Sequence, residues 1–362
     1  MAERIGTVEG VVRAEAWRGR PVLVTGHTGF KGAWLELWLE QLGAIVSGLA
    51  LDSPSTPSLH ALAGVGGDGR DRVDLRDERA VGDRVREAAP EVVFHLAARS
   101  LVRPAFADPA GTYEVNVVGT ANLLEAVRVC PSARAVVVVT SDKVYAPEAD
   151  GRPHTEDSPL GGIDPYSSSK AACELVTAAY RSSYLAPAGV GVATARAGNV
   201  IGGGDWATDR VVPDIVRALE RSEPVALRHP DAVRPWQHVL DPLHGYLLLA
   251  EHLLEPPDEA PFALNFGPDP AEECSVAALV DRVSAGFGGK PGWREDPGQS
   301  QVPETVTLRL DASRARATLG WSPRLDLDEA VAWTVDWYGA HARGDDVRAL
   351  TLAQIAAYEK RV

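Results

Sequence analysis

The chain has 362 residues, 45% of them hydrophobic and 24% charged, and a net charge of −14 at pH 7. That composition suits a soluble protein with a sizeable core, in one large domain or two close ones. The acidic balance excludes a general binder of nucleic acid or of anionic membrane, since both need a positive surface. The three cysteines, Cys130, Cys173 and Cys274, are odd in number and far apart. They offer neither a disulfide framework nor a zinc motif, so reduced thiols in a cytoplasm and no metal site are expected. No apolar run approaches membrane-spanning length, and the first residues lack the apolar core of a signal peptide.

Residues 1–16 read as a tail. Val22–Thr25 is a short β-branched run, and Trp34, Leu35, Trp38, Leu39 and Leu42 then recur at helical spacing, with Gly43 placed to cap the helix. Residues 45–51 read as a second strand ending at Asp52, which completes a βαβ unit of dinucleotide-binding length. The alternation continues with a strand at 92–96, a helix at 111–130, a strand at 133–142, a helix at 165–184 and a strand at 190–202. Near-continuous apolar strands between helices predict an α/β fold, a doubly wound parallel (Rossmann) sheet covered on both faces.

Beyond residue 200 the chain becomes rich in Gly, Pro and charge, with a Pro-rich stretch at 255–261 and a Gly-rich one at 286–298. A smaller C-terminal substrate-binding region is expected there. The boundaries read as follows: a cofactor domain over 17–200 with a returning segment near 239–267, a substrate region over 201–238 and 268–345, and a terminal helix over 346–362.

Gly26, Gly29 and Gly32 have the spacing G-x-x-G-x-x-G between a predicted strand and a predicted helix. Glycines there permit a tight turn and let backbone amides and the helix N-terminus approach a pyrophosphate. Asp52 ends the next strand, where a carboxylate accepts the ribose hydroxyls and repels a 2′-phosphate, so NAD is expected over NADP. His27, Thr28, Phe30 and Lys31 complete the turn. Asp74 and Leu75 are expected near the adenine, and Ala97 and Ala98 follow the 92–96 strand into the same site.

Tyr166 and Lys170 form Y-x-x-x-K, four apart and therefore on one helix face. A nearby ammonium is expected to lower the phenol pKa, so that a tyrosinate can take a proton from an alcohol as hydride leaves its carbon. Ser141 lies upstream, in "TSDKVY" after the apolar run 135–139, and would hydrogen-bond the same oxygen. Only five of the 36 Lys and Arg residues are Lys, and Lys31, Lys143 and Lys170 all fall in these motifs.

These motifs resemble those of the extended short-chain dehydrogenases/reductases and, within them, the CDP-glucose 4,6-dehydratases. The segments that carry the resemblance include "VTGHTGFKGAWL", "VVFHLAARSLVRPAF", "TSDKVY", "GGIDPYSSSKAACELV", "RAGNVIGGGDWATDRVVPD" and "RPWQHVLDPLHGYL". They span about 17–250, and weaker likeness continues to about 340.

The resemblance implies three steps with NAD on CDP-glucose: oxidation at C4, loss of water across C5 and C6, and hydride return to C6. Tyr166 would remove the C4 hydroxyl proton. Asp142 would protonate the departing C6 hydroxyl. Lys143 stands where related dTDP-glucose dehydratases carry a glutamate that takes the C5 proton; it is either a neutral base or a charge that stabilises the enolate.

Arg103, Asn199, Arg210 and Arg234 match places where the family contacts phosphate or sugar. Trp206 and Trp236 are candidate walls of the sugar site, His95 reads as a core histidine, and His238 stays open. The resemblance also implies a homodimer through the helix of Tyr166, with Ala171, Leu175, Ala178 and Ala179 as the contact stripe. The segment "APEADGRPHTEDSPLGG" departs from the family beside the active site, which leaves base and sugar preference open. An NAD-dependent epimerase or decarboxylase of nucleotide sugars, a dehydratase of another nucleotide hexose, and a non-catalytic NAD-binding regulator are the alternatives.

Overall fold

A computed structural model describes residues 10–66, 71–147, 151–255, 260–269, 272–289, 292–296 and 308–361. Its centre is a sheet of six strands: β1 (Pro21–Thr25), β2 (Ile45–Leu49), β3 (Val92–His95), β4 (Ala135–Val139), β5 (Gly191–Ala197) and β6 (Ala263–Phe266). Their order is β6-β5-β4-β3-β1-β2, and every pairing is parallel. The middle strands are buried on both faces, β4 along its whole length. That is why their sequences run apolar rather than alternating.

Helix α1 (Phe30–Gln41) follows the glycine turn and is buried nearly all round, with Trp34 and Trp38 fully enclosed. The Trp34 indole donates to the Gly203 carbonyl at 2.9 Å and the Trp38 indole to Glu359 at 2.7 Å, so both polar tips are satisfied. Gly43, just past the helix, has φ +82°, the left-handed geometry that a helix-ending glycine supplies without strain.

Two predicted helices are subdivided. The 111–130 segment contains a π-turn at Glu114–Val118 before α2 (Gly119–Arg128), and α3 (Pro165–Tyr180) gives way to a π-turn at Arg181–Leu185. Helix α4 (Leu240–Leu254) and β6 bring the chain back to the sheet. Helix α5 (Val347–Glu359) closes the described chain.

Residues 1–9 of the expected tail lie outside the described residues. Residues 10–16 are packed, which corrects the reading of the tail to that extent. Gly10 donates to Leu319 at 3.1 Å, Arg13 pairs with Glu251 at 3.0 Å, and a helical turn at Ala14–Trp17 buries the Trp17 side chain. One tryptophan provides this anchor, and no periodicity announces it.

Three small two-stranded pairs lie outside the central sheet, each giving residues of one strand to the ligand cleft. Val200–Ile201 pairs with Gln237–His238, Val225–Leu227 with Trp293–Glu295, and Val233–Arg234 with Cys274–Ser275. Among the described residues, no helix is long and apolar enough to cross a membrane.

Candidate active site

The C-terminal ends of β1, β3, β4 and β5 open onto one cleft of about 810 Å³. Parallel strands make this edge the ligand-binding one, because all their following loops emerge together. Of the cofactor residues expected from sequence, Gly26, Thr28, Gly29, Phe30, Lys31, Gly32, Asp52, Asp74, Leu75, Ala97 and Ala98 line it.

The glycines are sterically required. A Cβ on Gly26, whose φ is +73°, would fall 2.7 Å from the Ala97 amide nitrogen, and one on Gly32 would fall 2.2 Å from the Gly26 oxygen. The turn is therefore clamped between β3 and α1, with the helix N-terminus facing the cleft. That cradle fits a pyrophosphate.

His27 is the exception among the turn residues. It is not in the cleft wall but 2% exposed behind the turn, stacked edge-on against His60. Asp52 is exposed in the cleft, but its carboxylate is ion-paired with Arg72, a partner that the sequence did not place there. Asp74 accepts from Arg76 at 2.7 Å, and that guanidinium holds its carboxyl below the usual range.

Ser141, Asp142, Lys143, Tyr166 and Lys170 converge on the same cleft. Ser141 caps a single 3-10 turn after β4: its hydroxyl donates to Asp142 Oδ1 at 2.8 Å and accepts from the Lys143 amide at 3.1 Å. Asp142 is 3% exposed, and its Oδ2 has no hydrogen-bond partner. Burial pushes its carboxyl above the ordinary value, and the charge of Lys143 opposes this. Lys143 is half-buried at the cleft wall.

Tyr166 departs from expectation. Burial pushes its phenol up to about 12, with the Ser141 hydroxyl opposing and the charge of Asp142 reinforcing. Lys170 does lie one turn along, but its buried ammonium donates to the Val139 carbonyl at 3.1 Å. In the protein's own field, desolvation decides the direction for the phenol. Lys31 is half-buried and brought down to about 7, chiefly by desolvation and then by Arg210. Its ammonium reaches the Tyr246 hydroxyl at 3.4 Å.

The predicted substrate residues are also brought together. Arg103, Asn199, Arg210 and Arg234 line the same cleft. Arg103 pairs with Asp209 at 3.1 Å and Arg210 with Asp205 at 3.6 Å, while buried Arg234 donates to the Val233 carbonyl at 2.9 Å. Trp236 lines the cleft. Trp206 does not: it packs on Trp337, Tyr338 and His341 as part of the core. His95 is a satisfied core histidine between Thr25 (2.7 Å) and Thr120 (2.9 Å). His238 is fully buried between Trp34 and Trp333, away from the cleft wall.

Sequence reasoning missed the support beneath the site. Glu174 is one further turn along α3 from Lys170 and fully buried. It accepts from Thr140 at 2.5 Å, from Thr194 at 2.7 Å and twice from Arg196, at 2.9 and 2.8 Å. Arg196 also donates to the Tyr145 hydroxyl at 2.9 Å, which in turn donates to Asn265 at 2.6 Å. The helix of Tyr166 is thereby tied to the loop of Ser141. The signal was present as the third member of Tyr166, Lys170, Glu174 at four-residue spacing.

The comparisons with known proteins agree with this geometry. The family model described as GDP-mannose 4,6 dehydratase matches residues 23–334. A CDP-glucose 4,6-dehydratase of Salmonella typhimurium is 43% identical over 348 residues, 94% of this chain and 97% of that protein. Among solved structures, DesIV, a dTDP-glucose 4,6-dehydratase from Streptomyces venezuelae with NAD bound, superposes with a TM-score of 0.73 at 26% identity, covering 90% of this chain and 99% of that one. A Thermus thermophilus UDP-glucose 4-epimerase in complex with NAD gives 0.72 at 27% identity, covering 89% and 99%.

Fold and site together define an NAD-dependent enzyme of the extended short-chain dehydrogenase/reductase type. The chain belongs to the GDP-mannose 4,6-dehydratase family, and it is 43% identical to the CDP-glucose 4,6-dehydratase relative.

Proposed function

We propose that this chain is a hydro-lyase that converts CDP-D-glucose to CDP-4-dehydro-6-deoxy-D-glucose. The observation that carries the reading is Asp142, a buried carboxyl on the cleft whose raised pKa and unpartnered Oδ2 suit it to hold a proton and deliver it. Neither epimerisation nor decarboxylation needs such an acid beside Lys143. The 43% identical relative supports the cytidine nucleotide.

NAD, when bound, supplies the hydride acceptor for C4 and the hydride donor for C6. Tyr166 takes the proton of the C4 hydroxyl, with Ser141 steadying the same oxygen. The new C4 ketone acidifies the C5 hydrogen; Lys143 either takes that proton as a neutral amine or, charged, stabilises the enolate while solvent takes the proton. Asp142 protonates the C6 hydroxyl so that it departs as water. Arg103, Arg210 and Arg234 hold the diphosphate, the task to which a guanidinium fork is suited. Asn199 contacts the sugar.

The partner is a second copy of the chain. The stripe on α3 supports this only in part: Leu175 is 64% exposed, whereas Ala171 packs inward on Val144 and Tyr145. Val118 and Tyr184 are further exposed large apolar residues. Three free cysteines fit the reducing cytoplasm.

The test is a label. CDP-glucose deuterated at C4 should give a product lighter by one water, with deuterium on the C6 methyl and a solvent proton at C5. Deuterium back at C4 in an unchanged mass would replace this reading with an epimerase. Deuterium on released reduced cofactor would replace it with a simple dehydrogenase.

A further inference from the structure

Behind the glycine turn, on the side away from the cleft, three side chains turn polar atoms toward one another. His27 follows Gly26, Glu36 lies on α1, and His60 sits in the one-turn helix Leu59–Leu62. Their ligand atoms all lie within 4.8 Å of one another. His27 is 2% and Glu36 5% exposed, yet His27 Nδ1, Glu36 Oε2 and His60 Nε2 have no hydrogen-bond partner. Burying three polar atoms unpaired is costly, and the cost is avoided when something sits between them.

The surroundings are shaped for the two rings. A Cβ on Gly48 would fall 2.4 Å from the His27 ring, and one on Gly66 would fall 2.8 Å from His60 Nε2. Asp71 Oδ2 lies 3.9 Å from His27 Nε2, and Arg84 holds Asp71 by an ion pair. A carboxylate on that side favours the proton at Nε2 and leaves Nδ1 free to ligate, the arrangement that orients metal-bound histidines.

We propose that His27 Nδ1, Glu36 and His60 Nε2 form a site for one divalent transition cation such as Zn²⁺, with water completing a tetrahedron. Two imidazoles and one carboxylate suit Zn²⁺ or Co²⁺ better than Mg²⁺ or Ca²⁺, which prefer oxygen. Metal–ligand bonds of about 2.0–2.2 Å would draw the three atoms slightly inward from their present spacing. The ion would pin the turn that shapes the dinucleotide cradle to the helix behind it. No sequence motif announced the site, because its members are spaced 9 and 24 residues apart and only the fold joins them.

The experiment is a Co²⁺ titration of the full chain after chelator treatment, followed by visible d–d absorption, with Zn²⁺ as competitor. One equivalent with bands of tetrahedral strength, displaced by Zn²⁺, is expected. Glu36→Gln and His60→Gln should each weaken Co²⁺ binding by about 100-fold or more, with the circular dichroism of the wild type retained. A wild type without the bands, or bands unaffected by either substitution, would overturn the site and leave a metal-free His–carboxyl–His cluster. Should both variants fail to fold, the wild-type spectrum still decides, since weak octahedral bands there also overturn it.

Discussion

The Ser141 hydroxyl donates to Oδ1 of Asp142 at 2.8 Å, which leaves Oδ2 of the same buried carboxyl unpartnered at the cleft. One oxygen is therefore fixed and the other is available to carry a proton. Asp142→Asn keeps the shape and removes the transferable acid. Turnover should fall by about 100- to 10,000-fold, while C4 oxidation persists. Reduced cofactor should then build up on the enzyme, visible as its near-ultraviolet absorbance after substrate is mixed in. Normal turnover in this variant would place the acid elsewhere.

Tyr166 is expected to act in the transition state more than in binding. Tyr166→Phe should lower kcat by about 1,000-fold and change nucleotide-sugar affinity by less than about threefold, because the nucleotide supplies most of the affinity. Single-turnover kinetics with calorimetric binding separates the two. Near-wild-type kcat would remove the phenol from the chemistry.

Asp52, in the cleft wall, forms an exposed pair with Arg72, and the ribose of the cofactor is expected there. The carboxylate repels a 2′-phosphate and also occupies the guanidinium that could hold one. Asp52→Ala should weaken NAD and strengthen NADP, closing the preference by about tenfold or more. Fluorescence titration with both cofactors reads this directly. A wild type that binds NADP as tightly as NAD contradicts it.

Stability should carry a pH signature from Asp241. This carboxyl is fully buried and accepts from Tyr358 at 2.7 Å and from the Arg324 amide at 2.8 Å; burial pushes it up from 3.8 to about 7. Between those values the folded state binds the proton more tightly than the unfolded chain. The contribution of Asp241 to stability is therefore best below pH 3.8 and is lost as pH rises toward 7. Asp241→Asn removes that slope, so the Tm of the variant should gain on the wild type from pH 4 to pH 7. A constant difference across that range would show that Asp241 does not titrate there.

The sequence by itself determined the sheet, the glycine turn and the pairing of Tyr166 with Lys170 on one helix face, because each rests on local chemistry. A β-branched apolar run can be buried on both faces, a glycine is the residue whose missing Cβ lets Ala97 approach Gly26, and a four-residue spacing puts Tyr166 and Lys170 on one face. Helix bounds were less legible, since the π-turns at 114–118 and 181–185 arise from packing rather than from any residue signature. Only the tertiary structure decided the electrostatics. The depth of Tyr166 raises a phenol that motif reasoning would lower, and Arg72 reaches Asp52 from a segment twenty residues on. It likewise decided that His27 faces His60 and Glu36 instead of the cleft, and that Trp206 belongs to the core. Burial and the meeting of distant segments are properties of the packed chain, and no local pattern encodes them.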